Sequence, residues 1–166
     1  MGSVIPLKKS ANSAYLDLKN LLDNKLKSVE KLIHLKLKNN IGLINKMSNY
    51  HLSSGGKRIR ALLTMGAAKL GGYIEGSRDV NLAACVELIH SATLLHDDVV
   101  DESEIRRGIK TTNSIWGNQS SILVGDYLFS RCFEMMVEDG NLEILKLLSS
   151  ASSKIVLGEV MQLEHK

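Results

Sequence analysis

Hydrophobic residues recur at intervals of three and four along most of the chain, which is the pattern of amphipathic helices. Segments with this pattern cover residues 13 to about 37, 41–50 and 59–70, and glycine pairs follow the second and third segments. A long, strongly apolar segment then runs from 79 or 80 to 100, and two more occupy 122–137 and 142–163. The pattern predicts an all-α fold of six helices, with the helix ending at residue 100 at its centre and a polar loop after it.

Composition agrees with a helical protein, because aromatic residues make up only 4% of the chain and Pro6 is its single proline. A length of 166 residues suits one domain or part of a larger one, and no repeat or linker divides it, so 1–166 is expected to be a single domain. The net charge of +3 is small, and the lysines are dispersed along the chain. We therefore expect no nucleic-acid partner.

Apolar runs and cysteines indicate the cellular compartment of the protein. No run approaches the length of a transmembrane helix, and the first residues lack the apolar core of a secretory signal. Cys85 and Cys132 each lie among apolar neighbours, which favours reduced, buried thiols. These features favour a cytoplasmic protein without a transmembrane segment.

Three aspartates stand at the end of the long apolar segment, in "LLHDDVVDESEIRRG". On a helix Asp97 and Asp101 lie on one face, about 6 Å apart along the axis, and Asp98 lies about 100° round. Such carboxylates repel one another and are costly near a core unless a divalent cation or arginines compensate them. Oxygen ligands in small number suit Mg²⁺, which usually shares its coordination shell with substrate phosphates.

The same helix carries a polar stripe of His90, Thr93, Asp97 and Asp101, bordered by apolar residues. A polar line within an apolar helix indicates the wall of a cavity. The alternative is a solvated helix end, since acidic residues are common on surfaces.

Basic residues form two further clusters. "GGKRIR" places Lys57, Arg58 and Arg60 after a glycine turn at a predicted helix start, where backbone amides favour anions. Arg106 and Arg107 follow the aspartates, and arginine suits bidentate phosphate contacts. A basic helix start alone is usually surface, but the three charged clusters together favour metal-bridged phosphate chemistry.

These motifs, with "WGNQSSILVGDYLFSR" and "GEVMQL", resemble the amino-terminal half of trans-isoprenyl (polyprenyl) diphosphate synthases, in the long-chain octaprenyl-type branch. The resemblance runs from about Asn12 to the end of the chain. It implies an antiparallel helical bundle of the isoprenoid synthase type, truncated to about its first half. It also implies Mg²⁺-dependent head-to-tail condensation of isopentenyl diphosphate with an allylic diphosphate, such as farnesyl diphosphate, to a long-chain product.

The resemblance also assigns site residues. Asp97, Asp98 and Asp101 match the first aspartate-rich motif, with Asp97 and Asp101 as direct Mg²⁺ ligands. The implied substrate-binding residues are Lys57, Arg60 and His90 for isopentenyl diphosphate, Arg106 for the allylic diphosphate, Arg107 on the isopentenyl side, and Gln162 near the allylic diphosphate and metal. Ser91 and Ala92 match positions that tune product length, and their small size implies a long product, although small residues also serve close helix packing.

The chain departs from the family pattern in three respects. Ala61 stands where proline is usual, Leu157 stands where an acidic residue is common, and the second aspartate-rich motif does not occur. We therefore expect a homo-oligomer, or a second chain that supplies the other half of the domain. The alternative is a non-catalytic diphosphate-binding or regulatory half-domain that needs a partner. A long apolar product would bring the protein to the membrane periphery.

Two other enzyme classes fit less well. A terpene cyclase has no need of the second diphosphate site that "GGKRIR" suggests, and a di-iron bundle needs repeated Glu-x-x-His pairs, of which only Glu87 and His90 form one. His96 is expected to pack or to support a neighbouring ligand, and Trp116 to anchor its loop.

Overall fold

The computed structural model describes residues 10–165, and its architecture is helical as predicted. Its helices and strands are α1 (Ala11–Leu37), α2 (Gly42–Ser53), α3 (Ile59–Leu70), α4 (Arg78–Val100), β1 (Ile105–Arg106), β2 (Ile109–Lys110), α5 (Thr112–Trp116), α6 (Asn118–Asp139) and α7 (Leu142–Glu164). The all-α prediction is confirmed, with one short antiparallel hairpin of β1 and β2 added to it.

Helix α4 is the centre of the bundle, because α1, α3 and α6 all pack against it. Twelve of its 23 residues are buried, including Leu88 and Leu95, which are fully enclosed. Each such side chain stabilises the fold by about 1.5–3 kcal/mol relative to exposure. The prediction that this helix is central is confirmed.

Helices α4 and α6 run antiparallel. Arg78 at the start of α4 donates from Nε and Nη2 to Asp139 at the end of α6, at 2.7 and 2.8 Å. Ser121, near the start of α6, donates to the carbonyl of Leu95 at 3.0 Å. Between these points Cys85 and Cys132 are buried free thiols, as expected, and the thiol of Cys132 donates to the carbonyl of Cys85 at 3.5 Å.

The segment between α4 and α6 is more ordered than the predicted loop. Arg107 and Gly108 have φ angles of 54° and 81°, and this two-residue turn with positive φ at both positions closes the hairpin. Helix α6 begins at Asn118, four residues before the predicted start at 122. The apolar pattern missed its first turn because the buried residue there, Ser121, is polar. Helix α2 likewise continues to Ser53, beyond the predicted end at Tyr50.

Helix α7 packs by one side only. Ser152 is its single buried residue among those the structure describes, and Leu145 and Leu148 contact the core in part. Ile144 is half-buried, and eight other large apolar side chains of the helix are exposed, namely Leu142, Leu147, Ile155, Val156, Leu157, Val160, Met161 and Leu163. An apolar face of this extent is unusual on the surface of a monomeric soluble protein.

Within residues 10–165, every helix is too short or too polar to cross a membrane. The first nine residues, on which the expectation about a secretory signal rested, lie outside the described residues.

His96 packs against α6, in agreement with the packing role expected from the sequence. Its Nε2 atom lies 3.2 Å from the carbonyl oxygen of Ile122 and 3.4 Å from the carboxylate of Asp126. Gly125 provides the space, since a Cβ atom at this position would overlap the imidazole ring. The close approach of α4 and α6 at this level therefore requires glycine.

We expect Gly125→Ala to lower the free energy of unfolding by about 1–3 kcal/mol, because the added methyl group displaces the His96 ring. Gly158→Ala is the matched control: Gly158 also lies within a helix, and no atom lies within 4 Å of a Cβ built there. That control should be neutral or slightly stabilising because alanine favours helix. Urea denaturation followed by circular dichroism measures the stability of both variants. Equal midpoints for the two would contradict the conclusion that the contact of α4 and α6 at Gly125 requires glycine.

Candidate functional site

Two adjoining cavities lie beside α4. The first, the basic cleft, has a volume of about 330 Å³ and is bordered by His51, 54–60, Glu87, His90, Ser91, Leu94, Arg106 and Arg107. The second, the apolar groove, has about 400 Å³ and is bordered by Arg60, Val86, Ile89, His90, Thr93, Leu94, Asp97, Leu148, Ala151, Ser152 and Ile155. Arg60, His90 and Leu94 border both, so the cavities meet at these residues.

The polar stripe expected on α4 does face a cavity. His90, Thr93 and Asp97 border the apolar groove, and α7 supplies its opposite wall. Asp101 is exposed at the end of α4 and is not among the groove residues. The prediction of a cavity wall is therefore confirmed for three of the four stripe residues.

The loop between α2 and α3 presents the first basic cluster. Gly55, with φ of 79°, turns the chain, and Lys57 and Arg60 remain exposed at the mouth of the basic cleft. Tyr15 of α1 fixes the loop from outside: its hydroxyl donates to the carbonyl of Lys57 at 3.3 Å, and the Lys57 ammonium lies 5.6 Å from its ring centroid.

Arg58 turns inward, unlike Lys57 and Arg60. Its Nη1 atom lies 3.3 Å from Oε2 of Glu87, and Nη2 donates to the carbonyl of Leu52 at 3.1 Å. The other oxygen of Glu87 accepts from the backbone N–H of Ala61 at 3.1 Å. The side chain of Glu87 is 4% exposed, so a buried carboxylate holds this loop from the side of α4.

The hairpin brings the second basic cluster to the opposite side of the cleft. Arg106 donates from Nε and Nη2 to the same oxygen of Asp98, at 2.8 and 2.7 Å. The backbone carbonyl of Asp98 accepts from the N–H of Ser103 at 2.9 Å and from Nδ2 of Asn113 at 3.1 Å. Asp98 is 1% exposed and organises the turn after α4.

Arg107 closes the cleft against the α2–α3 loop. A Cβ atom at Gly56 would lie 2.8 Å from Nη1 of Arg107, so the guanidinium lies directly on the glycine. The two basic clusters, separated by some fifty residues in sequence, therefore meet in space.

Burial and the carboxylate of Glu159 raise the pKa of Asp97, while the guanidinium of Arg106 acts in the opposite direction. The carboxylate of Asp101 acts in the same direction as that of Glu159. Neighbouring carboxylates repel one another, and an opposite charge close by relieves this repulsion. Among residues 10–165, no group of three or more His, Cys, Asp or Glu side chains is placed to hold a metal.

Two imidazoles line the basic cleft in neutral form. Burial, followed by the charges of Arg106, His90, Arg107 and Arg58, lowers the pKa of His51 to about 4. Burial and then Arg60 lower the pKa of His90. Each neutral ring has one N–H to donate to an anion.

The remaining predicted residues are less clearly joined to the cavities. Ser91 borders the basic cleft, whereas Ala92 is fully buried in the core and borders neither cavity. Gln162 is exposed near the end of α7, three residues beyond Glu159. Trp116 stacks edge-on against Tyr50, with ring centroids 5.2 Å apart, as expected of an anchor.

Sequence reasoning missed three residues of the site: His51, Glu87 as a partner of Arg58, and Glu159. Glu87 carried one signal, since it is an acidic residue within the most apolar helix and must find a partner if buried. Glu159 lies within the quoted motif "GEVMQL", but no role was predicted for it. His51 carried no signal, because its place in the cleft depends on elements distant in sequence.

Comparisons with known proteins agree with this arrangement. Residues 41–166 match the family model described as Polyprenyl synthetase. The chain is 49% identical over 128 residues to an octaprenyl diphosphate synthase of Escherichia coli, covering 77% of this chain and 39% of the relative. It is 40% identical over 157 residues to an octaprenyl diphosphate synthase of Haemophilus influenzae, covering 95% of this chain and 47% of the relative. The chain thus spans less than half the length of these curated relatives.

Solved structures show the same fold. A polyprenyl synthase from Caulobacter crescentus, complexed with calcium and isoprenyl diphosphate, superposes with a TM-score of 0.88 at 42% identity, covering 95% of this chain and 47% of that one. A decaprenyl diphosphate synthase from Rhodobacter capsulatus superposes with a TM-score of 0.86 at 45% identity, covering 90% of this chain and 46% of that one.

The pKa of Asp97 provides a test of the site's geometry. We expect Glu159→Gln to lower this pKa, since a neighbouring negative charge is removed, but not to abolish the shift, since burial is its larger cause. Glu143→Gln, at the exposed start of α7, should leave it unchanged. Carboxyl ¹³C chemical shifts followed through a pH titration report the value, and an unaffected Asp97 in the Glu159 variant would show that α7 lies elsewhere.

Proposed function

Because the chain belongs to the polyprenyl synthetase family, we propose that it takes part in head-to-tail condensation of isopentenyl diphosphate with an allylic diphosphate. The product proposed is a long-chain, octaprenyl-like diphosphate. The observation that carries the proposal is the junction of the basic cleft with the apolar groove at Arg60 and His90. A reaction that joins a phosphorylated head to a growing apolar chain needs both environments side by side.

The basic cleft is the proposed site of isopentenyl diphosphate. Lys57, Arg60 and Arg107 supply positive charge, and Lys57 and Arg60 are exposed to solvent, where an anion can reach them. His90 adds a neutral N–H donor at the junction, because its pKa is lowered. These groups orient the diphosphate so that the alkene faces the groove.

The end of α4 is the proposed site of the allylic diphosphate. Asp97 and Asp101 would hold Mg²⁺, for which hard carboxylate oxygens in small number are suitable ligands. A divalent cation held by these carboxylates would supply positive charge to offset the negative charge of the departing diphosphate. Arg106, held by Asp98, would add a fixed positive charge nearby. Asp98 would then act by positioning Arg106, and Gln162 would approach the diphosphate from α7.

The apolar groove is the proposed path of the prenyl chain. Val86, Ile89, Leu148 and Ile155 supply an apolar surface that continues from Asp97 toward the middle of α4. Ser91 borders the adjoining basic cleft and Ala92 is enclosed by the core, so any influence of these two small residues on product length would act through the packing of α4 and not by lining the groove. A product of this kind would keep a cytoplasmic enzyme at the membrane periphery.

A second polypeptide chain is proposed to complete the diphosphate and prenyl sites. The chain spans 39–47% of its curated relatives, and α7 leaves an apolar face uncovered. We propose that a second copy, or a complementary chain carrying a second aspartate-rich motif, packs on this face. In that arrangement 1–166 is the amino-terminal half of a polyprenyl synthase domain.

Incorporation of labelled isopentenyl diphosphate into farnesyl diphosphate, with Mg²⁺, tests the proposed reaction on the purified chain with and without the complementary half. We expect Asp97→Asn to reduce the rate of product formation by about 10²-fold or more. The variant loses a carboxylate that would hold Mg²⁺, and the negative charge that develops on the departing diphosphate is then less well stabilised. Glu104→Gln removes an exposed carboxylate from the hairpin and should retain the rate within about twofold. A folded chain that binds diphosphate yet forms no product in either setting would instead indicate a non-catalytic binding protein.

Association is expected from the exposed face of α7. In analytical ultracentrifugation the chain should sediment as an oligomer or aggregate, since burying apolar surface is favourable. Replacing Val156 and Val160 by lysine should shift the distribution toward monomer, whereas lysine at the exposed polar positions Ser149 and Ser153 should not. A stable monomer of the unmodified chain would contradict the expectation.

A further inference from the structure

One ion pair links the three elements that surround the phosphate-facing loop 54–57. Glu87 lies in the middle of α4, and Arg58 is the residue immediately before α3. Among the described residues that border the basic cleft, Glu87 carries the only carboxylate, next to five basic side chains. A carboxylate in an anion-binding cleft opposes the ligand by charge, so its presence requires another explanation.

The contacts of the pair supply that explanation. The last carbonyls of a helix and its first N–H groups lack partners within the helix. Arg58 donates to the carbonyl of Leu52 in the last turn of α2, at 3.1 Å, and Glu87 accepts from the N–H of Ala61 in the first turn of α3, also at 3.1 Å. The pair therefore caps the end of α2 and the start of α3, on either side of the loop.

The backbone at Arg58 separates the basic side chains into two groups. Its φ of 47° and ψ of 37° are left-handed, a conformation that costs free energy for a residue other than glycine. The Arg58 side chain is 17% exposed and points into the protein, while Lys57 and Arg60 are exposed. The strained residue is thus held in place by the contacts of its own guanidinium.

We propose that Glu87 and Arg58 form a clamp that holds the α2–α3 loop and the first turn of α3 in the shape that binds the diphosphate of isopentenyl diphosphate. Both are positioning residues, and Lys57 and Arg60 make the contacts with the ligand. This inference rests on the proposed function of the basic cleft.

The clamp and simple electrostatics predict opposite results for Glu87→Gln. Removing the carboxylate makes the cleft more positive, so charge alone would tighten anion binding. Loss of the clamp leaves Arg58 with the Leu52 carbonyl and a 3.9 Å contact to Glu30 of α1, and it frees the start of α3 from α4. Binding then weakens, because the loop must be ordered at the expense of ligand affinity. The sign of the change therefore separates the two explanations.

The test is the affinity of the folded 166-residue chain for isopentenyl diphosphate and for inorganic pyrophosphate, measured by isothermal titration calorimetry without Mg²⁺. We expect Glu87→Gln to weaken both by about tenfold. Arg58→Lys, which keeps the charge but loses the forked geometry, should weaken both to a similar extent. The double variant should be no weaker than either single variant, since both remove one clamp.

Two controls isolate the clamp. Glu134→Gln removes the same charge from an exposed pair with Arg131 on α6, outside both cavities, and should leave the affinity within about twofold. Cys132→Ala lowers stability within the buried α4–α6 interface and should also leave the affinity of the folded protein unchanged. A weakened Cys132→Ala variant would mean that general loosening, and not the clamp, controls affinity.

Affinity that is equal or greater in Glu87→Gln would overturn the clamp while leaving the proposed function intact. Failure of the unmodified, folded chain to bind either probe would overturn the proposed role of the basic cleft, and the clamp with it.

Discussion

The packing of α4 against α1, α3 and α6 is the constraint on which the rest of this molecule depends. A helix enclosed on several sides is expected to be apolar, yet α4 carries buried carboxylates at Asp79, Glu87 and Asp98. Removing a carboxylate from water is costly unless charge-assisted hydrogen bonds replace its hydration. Asp79 pairs with Lys25 of α1, whereas Glu87 and Asp98 pair with arginines from loops: Arg58 from the α2–α3 loop and Arg106 from the hairpin. Burial of α4 thereby fixes the two loops that border the basic cleft.

This arrangement separates basic residues that build the site from those available to a ligand. Arg58 and Arg106 are committed to carboxylates, whereas Lys57 and Arg60 remain exposed beside them. The neutral imidazoles of His51 and His90 belong to the same environment, since neighbouring guanidinium groups and burial both oppose their protonation. Adjacent charges of one sign are tolerated because some are internally paired and others face water.

Much of the fold was predictable from sequence, because the apolar spacing of the long helices is set by their own burial. The aspartates and basic clusters were also recognisable, since their residue types are unusual at those positions. The hairpin at Ile105–Arg106 was not, because strands of two residues carry no period. The ion pair of Glu87 with Arg58 and the influence of the Glu159 charge on Asp97 were missed for a different reason. Periodicity tells which face of a helix a residue occupies, but not which distant element lies opposite that face. Ala92 illustrates the same limit, because a small residue on α4 suits a cavity or a close contact equally, and here it is enclosed by the core.

The one-sided packing of α7 has a consequence for how the groove behaves in time. Helices with few buried contacts open at a lower free energy than the core does, and exchange their amide hydrogens correspondingly faster. One wall of the apolar groove is α7, with Ser152 as its single buried residue in the described part of the chain, and the other wall is the deeply enclosed α4. The groove therefore has one wall with many buried contacts and one wall with few. A growing apolar chain would gain contact with α7 as it lengthens and would itself contribute to the order of that wall.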